Sequence, residues 1–268
     1  MKDLRTIRIF LSALFLTASV AYLCIGSEVN PMAQISMRAQ IIPSALAATV
    51  GITLFWLAVT FFFGRMYCST VCPVGALQDT AAWFRRRILK RKGDFSYKPR
   101  ANVRLYVLAV YAIALPIGLI WLSALVEPWN ILKSAARLTN PELRVTPGLA
   151  FAGNAVAGGL VGLLSLICVW IWALAKGRRF CSHICPIGTF LESIAEHSLY
   201  QIRIDPDKCT SCMACERNCK SEAIKVSERF VDNGRCVRCF DCHKVCPEDA
   251  IRLRRRFKRP ATPEALRT

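Results

Sequence analysis

Apolar residues gather in four long blocks along the first two thirds of the chain. They run from Ile7 to Ile25, Ala45 to Phe63, Leu105 to Val126 and Ala155 to Ala175. A helix needs about 20 apolar residues to cross a bilayer, and each block is close to that length. The expectation is four transmembrane helices arranged as two repeated hairpins. Pro116 lies inside the third block and should kink it, with neighbouring helices satisfying the freed carbonyl. Gly158 and Gly162 stand four apart in the fourth block, a small-residue spacing that permits close helix contact. Beyond about residue 200 the long apolar periodicity ends. Short polar segments crowded with cysteine replace it.

Charge gives these blocks a direction. The chain has 36 Lys and Arg against 18 Asp and Glu, a net charge of +18. Such a balance is also the footprint of nucleic-acid binding, but here the basic residues flank apolar spans. Short cytoplasmic loops concentrate Lys and Arg. The loop between blocks two and three carries Arg65, Arg85, Arg86, Arg87, Lys90, Arg91, Lys92, Lys98, Arg100 and Arg104, and the N-terminus adds Lys2, Arg5 and Arg8. The other loops hold only Arg38 on one hand, and Lys133, Arg137 and Arg144 on the other. Both termini are therefore expected on the cytoplasmic side of a bacterial inner membrane, and no nucleic-acid partner is expected. Trp129, Trp170 and Trp172 fall where interfacial rings favour the headgroups. The first block resembles a signal peptide at its basic start, but no small-x-small site closes it, and it is expected to be retained.

Fourteen cysteines then change the picture. Cys24 and Cys168 stand alone in apolar blocks and are expected to pack as small hydrophobes. Four others form a repeat. Block two ends in Gly64-Arg65-Met66-Tyr67-Cys68-Ser69-Thr70-Val71-Cys72-Pro73-Val74-Gly75, and block four in Gly177-Arg178-Arg179-Phe180-Cys181-Ser182-His183-Ile184-Cys185-Pro186-Ile187-Gly188. One constant step carries Gly64 to Gly177, Cys68 to Cys181, Cys72 to Cys185 and Gly75 to Gly188, so the hairpin is duplicated. Both pairs return to one membrane face. Cysteines four apart on one helical face can share a metal, and Pro73 and Pro186 end the helix just beyond. Cys68, Cys72, Cys181 and Cys185 together suffice for a third [4Fe–4S] cluster or a tetrahedral metal. A redox dithiol and simple packing remain open readings. The stretches that follow, 76–92 and 189–200, read as amphipathic helices in the headgroup plane or as plain connectors.

The last eight cysteines carry the most specific signal. Cys209, Cys212, Cys215 and Cys219 form C-x2-C-x2-C-x3-C, and Cys236, Cys239, Cys242 and Cys246 repeat the run with identical spacing. In this arrangement three cysteines wrap three corners of one cubane and the fourth ligates the other. Cys209, Cys212, Cys215 and Cys246 should hold one [4Fe–4S] cluster; Cys236, Cys239, Cys242 and Cys219 should hold the second. Pro247 follows the second run, whereas Lys220 stands at that place in the first. Zinc sites favour paired knuckles with longer loops, and disulfides are rare in a reducing cytoplasm. The domain expectation is a membrane unit over 1–200, a small α+β two-cluster ferredoxin over 201–254 and a basic tail over 255–268. Arg252, Arg254, Arg255, Arg256, Lys258 and Arg259 in and around that tail suit anionic lipid or an acidic partner.

Four spans, two C-x3-C-P motifs and a C-terminal two-cluster ferredoxin resemble the NapH-type quinol dehydrogenase subunits of periplasmic nitrate reductase systems. They are also similar to the membrane half of NosR-type proteins. The resemblance covers nearly the whole chain. It implies electron exchange between the quinol pool and a partner redox protein carrying haem, flavin or another ferredoxin. A quinol site also needs a proton acceptor, for which Glu127 and His183 are the nearest candidates. The alternative is an accessory factor that reduces a metal or matures another oxidoreductase, as in the CcoG-type assembly proteins that share the C-x3-C-P theme. No phosphate-cradling loop, dinucleotide fingerprint or nucleophile–base constellation marks a separate catalytic domain.

Overall fold

The computed structural model describes residues 2–25, 39–41, 50–88, 95–100, 102–114, 117, 123–140 and 155–256. Helix α1 (Lys2–Ile25) and helix α8 (Ala155–Lys176) are long and apolar enough to cross a bilayer. Between them come α2 (Val50–Phe63), α3 (Tyr67–Thr70), α4 (Pro73–Arg87), α5 (Val103–Ala114), α6 (Ser123–Val126) and α7 (Pro128–Ala136). Helix α2 has 14 residues. At 1.5 Å rise per residue that is roughly 21 Å, short of a hydrocarbon core about 30 Å thick. Residues 45–49 of the second expected span, and Pro116 with most of the segment joining α5 to α6, lie outside the described residues. Among the described residues two of the four expected spans are therefore full-length helices, while the other two appear only as the shorter apolar helices α2 and α5. Side chains such as Phe10, Leu54, Phe55, Ile113 and Leu164 stand exposed on these helices, an apolar belt larger than water tolerates on a monomer. Cys24 and Cys168 are also exposed. They do not pack the core, because their helix faces point away from it.

Helix α7 lies along α8 at the small-residue face. A methyl on Gly162 would strike the Ala135 backbone, and one on Gly159 would meet the Leu138 side chain. Gly158, the expected partner of Gly162, is also buried.

The hairpin repeat is explicit in the backbone. After α8 come α9 (Arg179–His183) and α10 (Pro186–Glu196), matching α3 and α4. Gly64 and Gly177 both take positive φ, +76° and +63°. Cys72 and Cys185 share an extended conformation, φ −66° ψ 117° and φ −65° ψ 118°. The proline explains this. It disfavours helical geometry in the residue before it and suits the first helical position. Each motif is therefore broken at its second cysteine. The pair does not lie along one helical face as the four-residue spacing predicts.

The remainder is a small α+β unit. Strand β1 (Tyr200–Ile204) pairs antiparallel with β4 (Ile251–Arg255), Tyr200 opposite Arg255 and Ile204 opposite Ile251. Strand β2 (Ile224–Lys225) pairs with β3 (Phe230–Val231). Helices α11 (Ala214–Arg217) and α12 (Asp241–Val245) sit at corresponding places in the two cysteine runs. Ile202, Ile204, Ile224, Val226, Val231, Phe240 and Ile251 form its core.

The basic segment from the end of α4 to α5 also binds this domain. Arg100 Nη2 reaches Asp232 at 2.6 Å and its Nη1 reaches Glu196 at 2.6 Å. Arg86 Nη1 donates to Asn218 Oδ1 at 2.7 Å. Arg85 donates to the carbonyls of Leu174 and Ala175 at the end of α8. Helices α4 and α10 bury Gln78, Ala81, Ala82 and Arg85, and Leu191, Glu192 and Ala195, leaving Trp83 and Phe190 exposed. Lys90, Arg91, Lys92, Lys258 and Arg259 lie outside the described residues.

Candidate redox centres

The two cysteine runs of the ferredoxin domain have the same backbone. Positive φ occurs at Ser211, Met213 and Glu222 in the first, and at Arg238, Phe240 and Asp249 in the second, each at the equivalent position of its run. Non-glycine residues take this conformation at a cost of roughly 1–2 kcal/mol each. Three of them in each run, at equivalent positions, wind its loop back on itself. Cys209, Cys212, Cys215 and Cys246 line one pocket, together with Ile204, Val226 and Ile251. Burial and the nearby Cys246 push the Cys215 thiol up to about 11. Cys219 sits instead with Cys236 and Cys239, and burial with these neighbours pushes it up to about 12. Burial and the thiols of Cys239, Cys236 and Cys219 likewise raise Cys242. Each fourth cysteine has thus crossed to the other run.

Sulfur is also the acceptor of backbone hydrogen bonds here. The Ala223 N–H donates to Cys219 Sγ at 3.4 Å, and the Ala250 N–H donates to Cys246 Sγ at 3.3 Å. Such bonds favour the thiolate and tune a cluster. Among the described residues no three His, Cys, Asp or Glu side chains converge tightly enough for a single metal ion. Four inward thiols around an open cavity fit the larger cubane.

The hairpin ends bring Cys68, Cys72, Cys181 and Cys185 into one buried core with Tyr67, Ile131, Val237 and Cys239. Each is at most 5% exposed. Burial and the neighbouring thiols push Cys72 and Cys185 well above the ordinary thiol range and Cys181 to about 11. Two arginines swap across the repeat. Arg65 Nη2 donates to the Cys181 carbonyl at 2.8 Å, and Arg178 Nη1 donates to the Cys68 carbonyl at 2.7 Å. Gly75 and Gly188 make room for this: a methyl on either would collide with the carbonyl of Cys68 or Cys181.

The charges at this site do not cancel. Arg178 pairs with Asp79 at 2.9 Å. Burial alone would raise the Asp79 carboxyl, but Arg178, Lys220 and Arg8 hold it well below the usual carboxylate range. Glu192, which occupies the place of Asp79 in the second hairpin, pairs with Arg104. Arg65 is fully buried, and its Nε and Nη1 have no hydrogen-bond partner among the described residues. Its Nη2 lies 3.9 Å from Cys68 Sγ. Glu192 acts on the guanidinium electrostatically, but no carboxylate reaches ion-pair distance among the described residues, and a buried guanidinium so weakly paired is unfavourable. Four thiolates around a [4Fe–4S]²⁺ core carry net negative charge, which would offset it. The donor set therefore fits a cluster at this place too.

The two candidate proton acceptors differ. Both Glu127 oxygens cap α7, accepting from the N–H groups of Trp129 and Asn130 at 3.0 and 2.7 Å. His183 is half-buried and its Nδ1 lacks a partner among the described residues. Burial, Arg235 and Arg179 lower its pKa, so its ring is neutral near pH 7. The arginine swap and the Asp79–Glu192 equivalence were not recognised from the sequence, although both follow the same step that exposed the cysteine repeat.

Comparison with known proteins bears on both centres. A family model described as a 4Fe-4S binding domain matches residues 46–92 and 158–202, the two hairpin ends. A second of that description matches residues 201–224. The methylamine utilization ferredoxin-type protein MauN of Paracoccus denitrificans is 30% identical over 178 residues, 66% of this chain and 56% of that protein. MauN of Methylorubrum extorquens is 31% identical over 180 residues, 65% of this chain and 53% of that protein. The ferredoxin-type protein NapH of Haemophilus influenzae is 27% identical over 186 residues, 69% and 57% respectively. The matched region thus spans little more than half the length of these relatives. No solved structure matches the chain.

Proposed function

We propose that the chain, a member of the NapH-like 4Fe–4S ferredoxin-type family, is an electron-transfer protein that passes electrons between the quinol pool and a partner redox protein from a bacterial inner membrane. In this reading four spans hold both termini and the ferredoxin domain on the cytoplasmic side. The observation that carries it is the pair of superimposable cysteine loops with exchanged fourth thiols. Four of those thiols line one cavity.

Cys209, Cys212, Cys215 and Cys246 hold one [4Fe–4S] cluster, and Cys219, Cys236, Cys239 and Cys242 the other. Each cluster, when bound, supplies reversible one-electron transfer, so two match the two electrons that quinol releases with two protons on becoming quinone. The chain's own residues do the rest. The N–H groups of Ala223 and Ala250 orient and stabilise sulfur. The core of Ile202, Ile204, Ile224 and Ile251 excludes water from one side of the cysteine loops. Cys68, Cys72, Cys181 and Cys185 form a third iron–sulfur site at the membrane face, with Arg65 as its buried counter-charge. His183 is the better placed of the two proton acceptors, because both Glu127 oxygens already cap a helix.

The test is reduction of the anaerobically purified chain by menaquinol and ubiquinol analogues, followed by EPR. Cluster signals should appear with quinol alone. Clusters reducible by dithionite but silent with every quinol would refute the quinol link and leave the electron-transfer role standing.

A further inference from the structure

The two ferredoxin loops are not equivalent in where they touch the rest of the molecule. The first run departs from the second at Lys220, which directly follows Cys219 as Pro247 directly follows Cys246. Its side chain is 3% exposed. Nζ lies 2.7 Å from Asp79 on α4 and 3.0 Å from Asp241 at the start of α12. Its carbonyl accepts the Arg178 N–H at 2.7 Å and closes over Gly177. One residue therefore ties both hairpins to the ferredoxin domain.

Arg238, between Cys236 and Cys239, makes the matching contact on the other hairpin. Its guanidinium lies over Gly64, and its Nε donates to the Phe63 carbonyl at 2.8 Å. Nη2 donates to Ser198 Oγ at 3.0 Å and to the Tyr200 carbonyl at 2.9 Å. Gly64 and Gly177 are equivalent in the hairpin repeat, so two like sockets receive two different residues. Both residues adjoin cysteines of the same set, Cys219 in one case and Cys236 and Cys239 in the other. Val237 and Cys239 complete the buried core around the hairpin thiols. The two sets differ most at equivalent positions of the runs, where Cys212 is exposed and Cys239 is buried.

We infer that Lys220 is a positioning residue that, with Arg238, seats the Cys219, Cys236, Cys239 and Cys242 cluster against the hairpin thiols as the inner centre, leaving the Cys209, Cys212, Cys215 and Cys246 cluster as the outer one. This rests on the reading of the eight cysteines as cluster ligands. The ammonium also fixes local charge. It lies between the buried Asp241 and the partly buried Asp79 carboxylates beside the inner thiols, and proline could supply neither donor nor charge. Without it the inner cluster would be harder to reduce.

Redox titration of the iron-loaded full chain in detergent, read by EPR, tests this without any quinol. Lys220→Met should shift the reduction equilibrium of one cluster about tenfold toward the oxidised form, ~59 mV for one electron. Lys220→Arg should restore it. Lys208→Met, an exposed change beside Cys209, should leave both clusters in place. In wild type a soluble lanthanide chelate should speed the relaxation of one cluster only, and that should be the cluster lost in Cys212→Ser. An iron-replete Lys220→Met with unmoved potentials overturns the inference. So does a chelate that reaches the Cys239 cluster first, a result that needs no Lys220 variant. Wild type without iron would instead remove the ligand assignment beneath it.

Discussion

The ferredoxin thiols and the hairpin thiols are gathered by opposite means. In the ferredoxin domain, loops strained into positive φ wrap their cysteines around a cavity, and much of the outer set meets solvent. At the hairpin ends, two helix breaks point four cysteines into a core with almost no solvent contact, backed by two buried arginines. The first arrangement is local: one short stretch nearly defines a site. The second exists only when two segments far apart in the chain, one around Cys68 and one around Cys181, meet. Sites of the second kind depend on long-range contacts, and they should fail more readily when those contacts are cut.

Single cysteine changes break the comparison hardest. Cys212→Ser should remove about four iron per chain and leave the other ferredoxin signal intact. Cys68→Ser should remove a similar amount while both ferredoxin signals persist. Unchanged iron in Cys68→Ser would reduce the hairpin thiols to packing or dithiol chemistry.

Asp79→Asn comes next. It deprives Arg178, Arg8 and Lys220 of a shared partner, and breaking a buried pair costs about 3–5 kcal/mol. The sign with pH is definite. Asp79 is held below its ordinary value, so its contribution is complete above about pH 4 and declines as acid protonates the folded state. The stability gap between Asp79→Asn and wild type should be full at pH 7 and shrink below about pH 4 in thermal melts.

Arg65→Met should act with opposite signs in the two states. In iron-free protein it removes a weakly paired buried charge and should be neutral or stabilising. In iron-loaded protein it removes a counter-charge and should cost about 3 kcal/mol. A loss of equal size in both states would mean that Arg65 supports only the Cys181 carbonyl. Gly75→Ala would set a methyl 2.2 Å from the Cys68 carbonyl oxygen, a backbone atom that cannot turn aside, so a loss at or above the usual overpacking cost of about 1–3 kcal/mol is expected. Melting temperature measures it.

What the sequence disclosed follows the same division. The eight-cysteine spacing predicts an exchange of fourth thiols, and the structure places Cys246 beside Cys209, Cys212 and Cys215. The duplicated hairpin was legible as a repeat, since Cys68-to-Cys72 and Cys181-to-Cys185 carry the same flanking glycines, arginines and prolines. The break at Cys72 and Cys185 was hidden by attention to the four-residue spacing, although Pro73 and Pro186 already dictated it. The crossing of Arg65 and Arg178 depends on how the two motifs face each other, which no local pattern encodes. Lys220 was visible as a departure from the second run, but its partners Asp79 and Asp241 belong to other elements.

One measurement reaches the centre of this account: iron, labile sulfide and EPR spin count on the anaerobically purified full chain. Two ferredoxin clusters predict about eight iron per chain and two interacting spins on dithionite reduction, with about four further iron if the hairpin thiols are loaded. A folded chain carrying neither iron nor sulfide would contradict it.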